Sequence, residues 1–315
     1  MRRIGMIVSP GFQVMAFSEI SVFEFANLAA AEPVYQVELL SETGGPVLSS
    51  IGIAVETKPF GDPTFDTLLT VGNTGMQPAS QGVVDFVRAA HQVSRRIAGP
   101  CTGAFVLAQA GLLDGRRATT HWAHARDMRR QYPKVKVEED LIFIIDGNVW
   151  TSAGMTAGID LALALVEKDL GAEISRAVAK TLVVYHRRSG GQSQYSALLE
   201  LAPKSDRVQS ALVYASQHLR NELSVTELAE AAHLSPRQFS RVFREETGQS
   251  PAKAVEHLRV EAARLMMEEG RHSMDVVARE TGFADRERMR RAFLRAFGQP
   301  PQAIRRNTRV EIAAE

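Results

Sequence analysis

Arg96-Ile97-Ala98-Gly99-Pro100-Cys101-Thr102-Gly103-Ala104-Phe105-Val106-Leu107-Ala108-Gln109-Ala110-Gly111-Leu112 runs from a short apolar stretch into a longer one with helical spacing. The joint is Gly99 to Gly103, with Cys101 at its centre. Small residues on both sides of a side chain let a strand turn sharply into a helix and project that side chain from the corner. A strand over 96–98 and a helix over 102–112 are predicted. The residues themselves leave two uses of Cys101 open. It is either a small buried hydrophobe, or an elbow thiol whose pKa the helix N-terminus lowers, beside N–H groups that bind anions.

The same alternation extends on both sides of the corner. Residues 4–8, 35–40, 67–71 and 141–145 read as buried strands, and 149–151 as a hairpin partner beyond Asp146-Gly147-Asn148. Helical patterns lie at 14–30, 81–91, 123–131 and 157–168. Strands alternating with helices predict an α/β fold, a mainly parallel sheet with helices on both faces. Sites in such sheets form at the carboxyl ends of strands.

The chain has 315 residues, 45% hydrophobic and 23% charged, which suits two ordinary globular domains and excludes disordered or fibrous classes. The apolar run after Met1-Arg2-Arg3 is broken at Ser9-Pro10-Gly11, unlike a signal peptide. No stretch has the roughly 18 apolar residues of a membrane span, and the single cysteine suits a reducing compartment. A cytoplasmic protein without a membrane partner is expected. The net charge of +1 is a cancellation. Up to Pro203 there are 18 basic and 20 acidic residues, and beyond it 19 and 16. Eight arginines and one acid fall within 286–309, an electrostatic footprint of the kind that meets nucleic acid.

Beyond Asp206 the β-type runs stop. Ser224 and Ser235-Pro236 open two helices joined at His233-Leu234, with Phe239 and Phe243 anchoring the second. Leu228, Ala229 and Ala232 should face inward on the first helix. Ser273 and Arg286 open another pair, with Val276, Val277 and Ala278 inside, Gly282 at the turn, and Met289, Phe293 and Phe297 as anchors. Each pair is a predicted helix-turn-helix, which makes this part an all-α domain with two such units. Arg237, Gln238, Ser240, Arg241 and Arg244 surround the first anchor. Arg286, Glu287, Arg288, Arg290, Arg291 and Arg295 surround the second. Arginine forks match guanine or phosphate and glutamine matches adenine, so these are candidate DNA-binding residues. Arg305 and Arg306 are added as phosphate contacts. The run 189–205, rich in Gly, Ser and Gln, reads as a linker. The expected division is 1–188, linker 189–205, DNA-binding domain 206–309 and tail 310–315.

Two resemblances cover nearly the whole chain. The stretch from Cys101-Thr102-Gly103 through Gly111-Leu112-Leu113-Asp114-Gly115 to His121-Trp122 resembles the ThiJ/PfpI superfamily, with its class I glutamine amidotransferase-like fold. The second helix-turn-helix, from Val276-Val277-Ala278 to Phe297-Gly298-Gln299-Pro300-Pro301, resembles the AraC/XylS regulators. So does the first, with Phe239-Ser240-Arg241-Val242-Phe243 and Gly248-Gln249-Ser250-Pro251. Together they resemble the GlxA-like branch of that family.

The resemblance implies a DNA-binding transcription regulator. Its two recognition helices, spaced by the helix over 254–267, would enter successive major grooves about 34 Å apart. Its partners would be an operator in double-stranded DNA, a small-molecule effector and a second copy in a homodimer, with RNA polymerase added if it activates. The enzymes of the superfamily pair the elbow cysteine with a histidine, here His121, and with a carboxylate whose place falls at Ala16. Glu19, a turn further on, is a weaker substitute. Without that acid no catalysis is expected, and Gly72, Asn73, Cys101, Thr102 and His121 become a ligand pocket. The rival is an active cysteine hydrolase, hydratase or amidase that uses Cys101 and His121 and binds DNA as an accessory. A third option is an N-terminal fold that only dimerises. No cofactor is expected, and His121 with His124 lacks a third ligand for a metal.

Overall fold

The computed structural model describes residues 1–74, 77–184, 188, 190, 194, 201, 203, 205–268, 272–297 and 299–303. Arg305, Arg306, the expected tail and most of the expected linker lie outside the described residues. The chain divides into two compact units, Met1–Gln194 and Tyr195–Glu315.

The first unit is built on strands β1 (Arg2–Ile7), β2 (Tyr35–Ser41), β3 (Thr43–Leu48), β4 (Ala54–Pro59), β5 (Thr67–Thr70) and β6 (Arg96–Pro100). A two-residue pair, β7 (Arg117–Ala118) and β8 (Lys136–Val137), stands apart, and β9 (Phe143–Asp146) and β10 (Val149–Ser152) complete the main sheet. The sheet order is β3-β4-β2-β1-β5-β6-β10-β9, parallel through its centre and antiparallel only at the two edge pairs. The helices are α1 (Phe17–Ala29), α2 (Gln81–Val93), α3 (Gly103–Gln109), α4 (Trp122–Gln131) and α5 (Thr156–Thr181).

Strand side chains alternate between two cores because successive Cβ atoms point to opposite faces. Met6, Leu69, Ala98 and Trp150 pack with Val22 and Phe23 of α1 and Leu161 of α5. Ile7, Leu68, Ile97 and Val149 pack with Val84 of α2, Leu107 of α3 and Met128 of α4. The helices therefore cover both faces of the sheet, as expected.

Sequence patterning missed β3 and β4, because Gly44-Gly45-Pro46 reads as a turn. They form an edge ribbon with much exposed surface, and the periodic apolar signal is weak there. Helix α5 also runs past the expected 168. It bends at Gly171, whose φ of +85° only glycine adopts freely.

The second unit comprises α6 (Asp206–Gln217), α7 (Val225–Ala231), α8 (Pro236–Thr247), α9 (Pro251–Glu268), α10 (Met274–Glu280) and α11 (Arg286–Phe297). It has two small cores. Leu212, Leu228, Ala229, Phe239 and Phe243 fill the first, and Val277, Ala278, Met289 and Phe293 the second. Val276 is only half-buried, and Met274 takes the inward place expected of it. Helix α9 spans both cores, giving Ala254, Val255 and Leu258 to one and Val260, Ala263 and Met267 to the other.

Candidate functional site

In the first unit, the chain leaving β1, β5, β6 and β10 encloses a cavity of about 240 Å³ at the carboxyl ends of those strands. Gln13, Ala16 and Glu19 line it from the first connection, Gly72 and Asn73 from the second, Cys101 and Thr102 from the third, and Gly154 from the last. His121 and His124 close one side. The five residues expected to share a pocket, Gly72, Asn73, Cys101, Thr102 and His121, thus come together. Gly72 is glycine for space, since a Cβ there would lie 2.4 Å from Thr102 Oγ1. Thr102 in turn donates to the Asn73 carbonyl at 3.0 Å.

Cys101 is a true corner, with φ of +52°. Such a backbone costs about 1–2 kcal/mol for a residue with a Cβ and must be held from outside. The Cys101 N–H donates to Ser152 O at 2.9 Å, and Thr120 Oγ1 donates to Cys101 O at 2.7 Å. Gly154 presses against it so closely that a Cβ would lie 2.1 Å from Cys101 Cβ.

Of the two uses left open for Cys101, the electrostatics disfavour the activated thiol. Burial pushes the Cys101 thiol up, hydrogen bonding from Thr102 only partly offsets this, and the Glu19 carboxyl adds to the rise. The helix beyond, α3, has only seven residues. Burial, then the charge of His124, lowers His121, so that the neutral imidazole is favoured. His121 Nδ1 accepts the Ala123 N–H at 3.3 Å as the N-cap of α4. Among the described residues no hydrogen bond joins this ring to the thiol. A thiolate–imidazolium pair is therefore disfavoured. Among the described residues, no group of three or more His, Cys, Asp or Glu side chains is arranged to hold a metal.

Glu19 is the residue that sequence reasoning undervalued. It lies three residues after Ala16 on the same helical face, which could have signalled its approach to the pocket. Its side chain is buried, with the residue 2% exposed, and Gly158 leaves room for it: a Cβ there would be 2.2 Å from Glu19 Oε1. Burial pushes its pKa up to about 8. An acid raised in this way destabilises the fold once pH exceeds its ordinary value near 4.5, and the full penalty applies above about 8. Glu19→Gln should thus stabilise the unit by on the order of 3 kcal/mol at pH 7, and by little at pH 4.5. Thermal melts at the two pH values check this, and an equal gain at both would refute the burial account.

In the second unit, Ser224, Ser235 and Ser273 cap α7, α8 and α10, each accepting from the N–H three residues on. Arg237, Gln238, Arg241 and Arg244 are exposed on α8, and Ser240 is half-buried. Gln238 Oε1 closes a capping box with Ser235, so half of its amide is committed before any base arrives. Arg286, Glu287, Arg288, Arg290, Arg291 and Arg295 are exposed on α11, where every arginine has a carboxylate partner. Arg237 and Arg244 have no ion pair among the described residues. Exposed pairs contribute only about 0–1 kcal/mol, so the α11 arginines can exchange carboxylates for phosphates readily.

The two units of helices are tied together. Arg259 donates to the carbonyls of Leu219 at 3.2 Å and Asn221 at 2.6 Å, and Arg220 pairs with Glu280. Gly282 lies where a Cβ would be 1.8 Å from Leu219 O.

A pocket at the strand ends of an α/β domain, followed by two arginine-faced helix-turn-helix units on a shared helix, defines a DNA-binding regulator with a pocket-bearing domain. Comparison with known proteins agrees. Residues 4–168 match the DJ-1/PfpI family and residues 228–307 a helix-turn-helix domain. The HTH-type transcriptional regulator GlxA of Rhizobium meliloti is 29% identical over 98% of this chain and 96% of its own. CdhR of Pseudomonas aeruginosa, an HTH-type transcriptional regulator, is 32% identical over 95% and 90%. An isonitrile hydratase of Pseudomonas putida is 36% identical over 48% of this chain and 67% of its own. The chain belongs to the GlxA-like transcriptional regulators, which join a DJ-1/PfpI domain to an AraC-type helix-turn-helix domain.

Proposed function

We propose that this regulator reads an operator through α8 and α11 and responds to a small metabolite held in the Cys101 cavity, without catalysing a reaction. The observation that carries the second part is a strand-end pocket whose thiol and imidazole are both favoured in their neutral forms. A cytoplasmic homodimer is the expected working form, recruiting RNA polymerase if it activates. Arg305 and Arg306 are proposed phosphate contacts.

The connection between the domains supports control by the pocket. Arg188 bonds Asp160 and Thr156 at the start of α5, beside the Gly154 wall of the cavity. Gln194 donates to Thr120 O at 2.9 Å and accepts from Trp122 N–H at 2.9 Å, bracketing His121. A ligand that shifts either wall would be felt by the chain leaving the domain.

Bound DNA is first mapped across the genome to supply an operator. Arg237→Ala and Arg288→Ala should then each weaken operator binding by about 1–3 kcal/mol if they read bases. Titrations by fluorescence anisotropy would measure it, and wild-type affinity in both variants would remove the proposed reading faces. One observation favours the rival enzyme, namely the strained corner at Cys101 in a chain that is similar over 48% of its length to an isonitrile hydratase. Rapid alkylation of Cys101 at neutral pH, with turnover lost in Cys101→Ser, would establish that alternative.

A further inference from the structure

A cleft of about 400 Å³ lies between α9 and α11, closed at one end by the turn at Gly282. Arg288, Arg291 and Arg295 line it from α11, where spacings of three and four residues put them on one face. Glu256 and Arg259 line it from α9, so four arginines meet one carboxylate. The Arg259 guanidinium is committed to the Leu219 and Asn221 carbonyls. Arg288 and Arg291 lie 3.9 Å from the carboxylates of Asp285 and Glu287, beyond hydrogen-bond length. Arg295 alone is gripped as a fork. Its Nε donates to Glu256 Oε1 at 3.0 Å and its Nη2 to Oε2 at 2.6 Å. The side chains of Asp275, Asp285 and Glu287, the other acids paired with α11, are more than half exposed. Glu256 is 32% exposed, so it sits within the cleft and they sit at its rim. A carboxylate and a phosphodiester offer a guanidinium fork the same pair of anionic oxygens. Glu256 therefore holds Arg295 in the way a phosphate would.

We propose that Glu256 is a built-in competitor of DNA: the cleft takes one backbone phosphate of the duplex, and Glu256 occupies its place on Arg295 while the protein is free. The inference rests on the proposed reading of DNA by α11 and assigns one contact within it. The first residues of a recognition helix meet base edges, and phosphate contacts fix its register on the duplex. Arg288 is in the first turn of α11 and stays available to a base, whereas Arg291 and Arg295 are one and two turns further on. As the phosphate enters, Arg295 swings its fork from the carboxylate to the phosphate oxygens, Arg291 supplies a second cation, and Glu256 is released to water. Phosphates carry no base information. Glu256 should therefore weaken binding to every duplex alike and leave the choice of sequence to the base-reading side chains.

The test uses the full-length protein, a fluorescein-labelled duplex of random sequence and the mapped operator, titrated by anisotropy at roughly 50–200 mM salt. Glu256→Gln should bind both duplexes at least about threefold more tightly than wild type, with a steeper dependence on salt. Arg291→Ala leaves the Glu256–Arg295 fork in place and should bind more weakly, its slope of log affinity against log salt shallower by about 0.9. Glu230→Gln removes an exposed acid of α7 outside the cleft and should give a smaller gain than Glu256→Gln. Melting curves confirm that each variant is folded. Unchanged or weaker binding by Glu256→Gln would make the pair a clasp between α9 and α11 and overturn the assignment. An equal gain from Glu230→Gln would reduce the effect to net charge and overturn it as well. Tripolyphosphate is added as a free polyanion. If Arg291→Ala loses its binding but keeps that of DNA, the occupant is not the duplex and the proposal falls. If the cleft variants match wild type while Arg237→Ala weakens operator binding, the DNA-reading function stands and the contact at Glu256 fails. If no substitution on α8, α9 or α11 changes DNA binding, the DNA-reading function fails with it.

Discussion

Asp169→Asn should lower the stability of the N-terminal unit by about 3–5 kcal/mol, the usual consequence of removing one partner from a buried ion cluster. The Asp169 side chain is fully buried at the end of the sheet opposite the cavity. Arg95 reaches it at 2.6 Å, Arg96 at 2.7 Å and the Tyr35 hydroxyl at 3.0 Å. Arg2 approaches at 3.2 Å without hydrogen-bond geometry. Burial alone would raise the Asp169 pKa, but the Arg96 and Arg95 guanidinium groups outweigh it and hold the carboxyl below its usual value. Arg96, itself buried, would be left under-compensated by asparagine. Because the folded pKa is depressed, this stabilisation is present above the ordinary aspartate value and lost as pH falls through the folded one. Urea unfolding at pH 7 should show a lower midpoint with an unchanged slope, and the variant should lose part of the wild-type acid limb. A loss below about 1 kcal/mol would mean that the cluster contributes only surface-like pairing.

Gly282→Ala should be comparably damaging, but in the DNA-binding unit. The added methyl would meet Leu219 O at 1.8 Å, and the backbone has φ of +75°. Overpacking typically costs about 1–3 kcal/mol and a left-handed residue with a Cβ about 1–2 more. The obstruction lies where the turn of the second helix-turn-helix touches the chain between α6 and α7. It should therefore disturb the relative placement of α8 and α11 as well as stability. Binding to a full operator should fall by more than binding to either half-site alone. An equal loss on both substrates would show that the junction stabilises the unit without setting the spacing.

The strong periodic segments were legible in the chain. Strands over 4–8, 67–71 and 96–98 and the two capped helix pairs are dictated by local apolar spacing, small-residue corners and serine caps. The edge ribbon of β3 and β4 was not, since its residues are half-exposed and rich in glycine and proline. For α8 and α11, sequence spacing separated the anchors Phe239, Phe243, Met289 and Phe293 from the exposed arginines. It could not show that Gln238 is spent on a cap, because that depends on how the Ser235 turn closes.

The pocket was legible by its positions and not by its electrostatics. The corner at Cys101 and the Gly72-Asn73 turn follow from strand-to-helix punctuation in the chain, and His121 from the resemblance to the ThiJ/PfpI superfamily. That Glu19 reaches the same cavity follows from α1 packing against α5, where Gly158 leaves space for a carboxyl group. Local sequence thus determined the two-domain architecture, the elbow and the arginine-faced helices, because backbone propensity and apolar period act over a few residues. Tertiary structure alone decided that the thiol is disfavoured as a thiolate and that a carboxyl group lies buried in the cavity wall. Desolvation depends on which groups from distant parts of the chain close around an atom, and no local spacing encodes that.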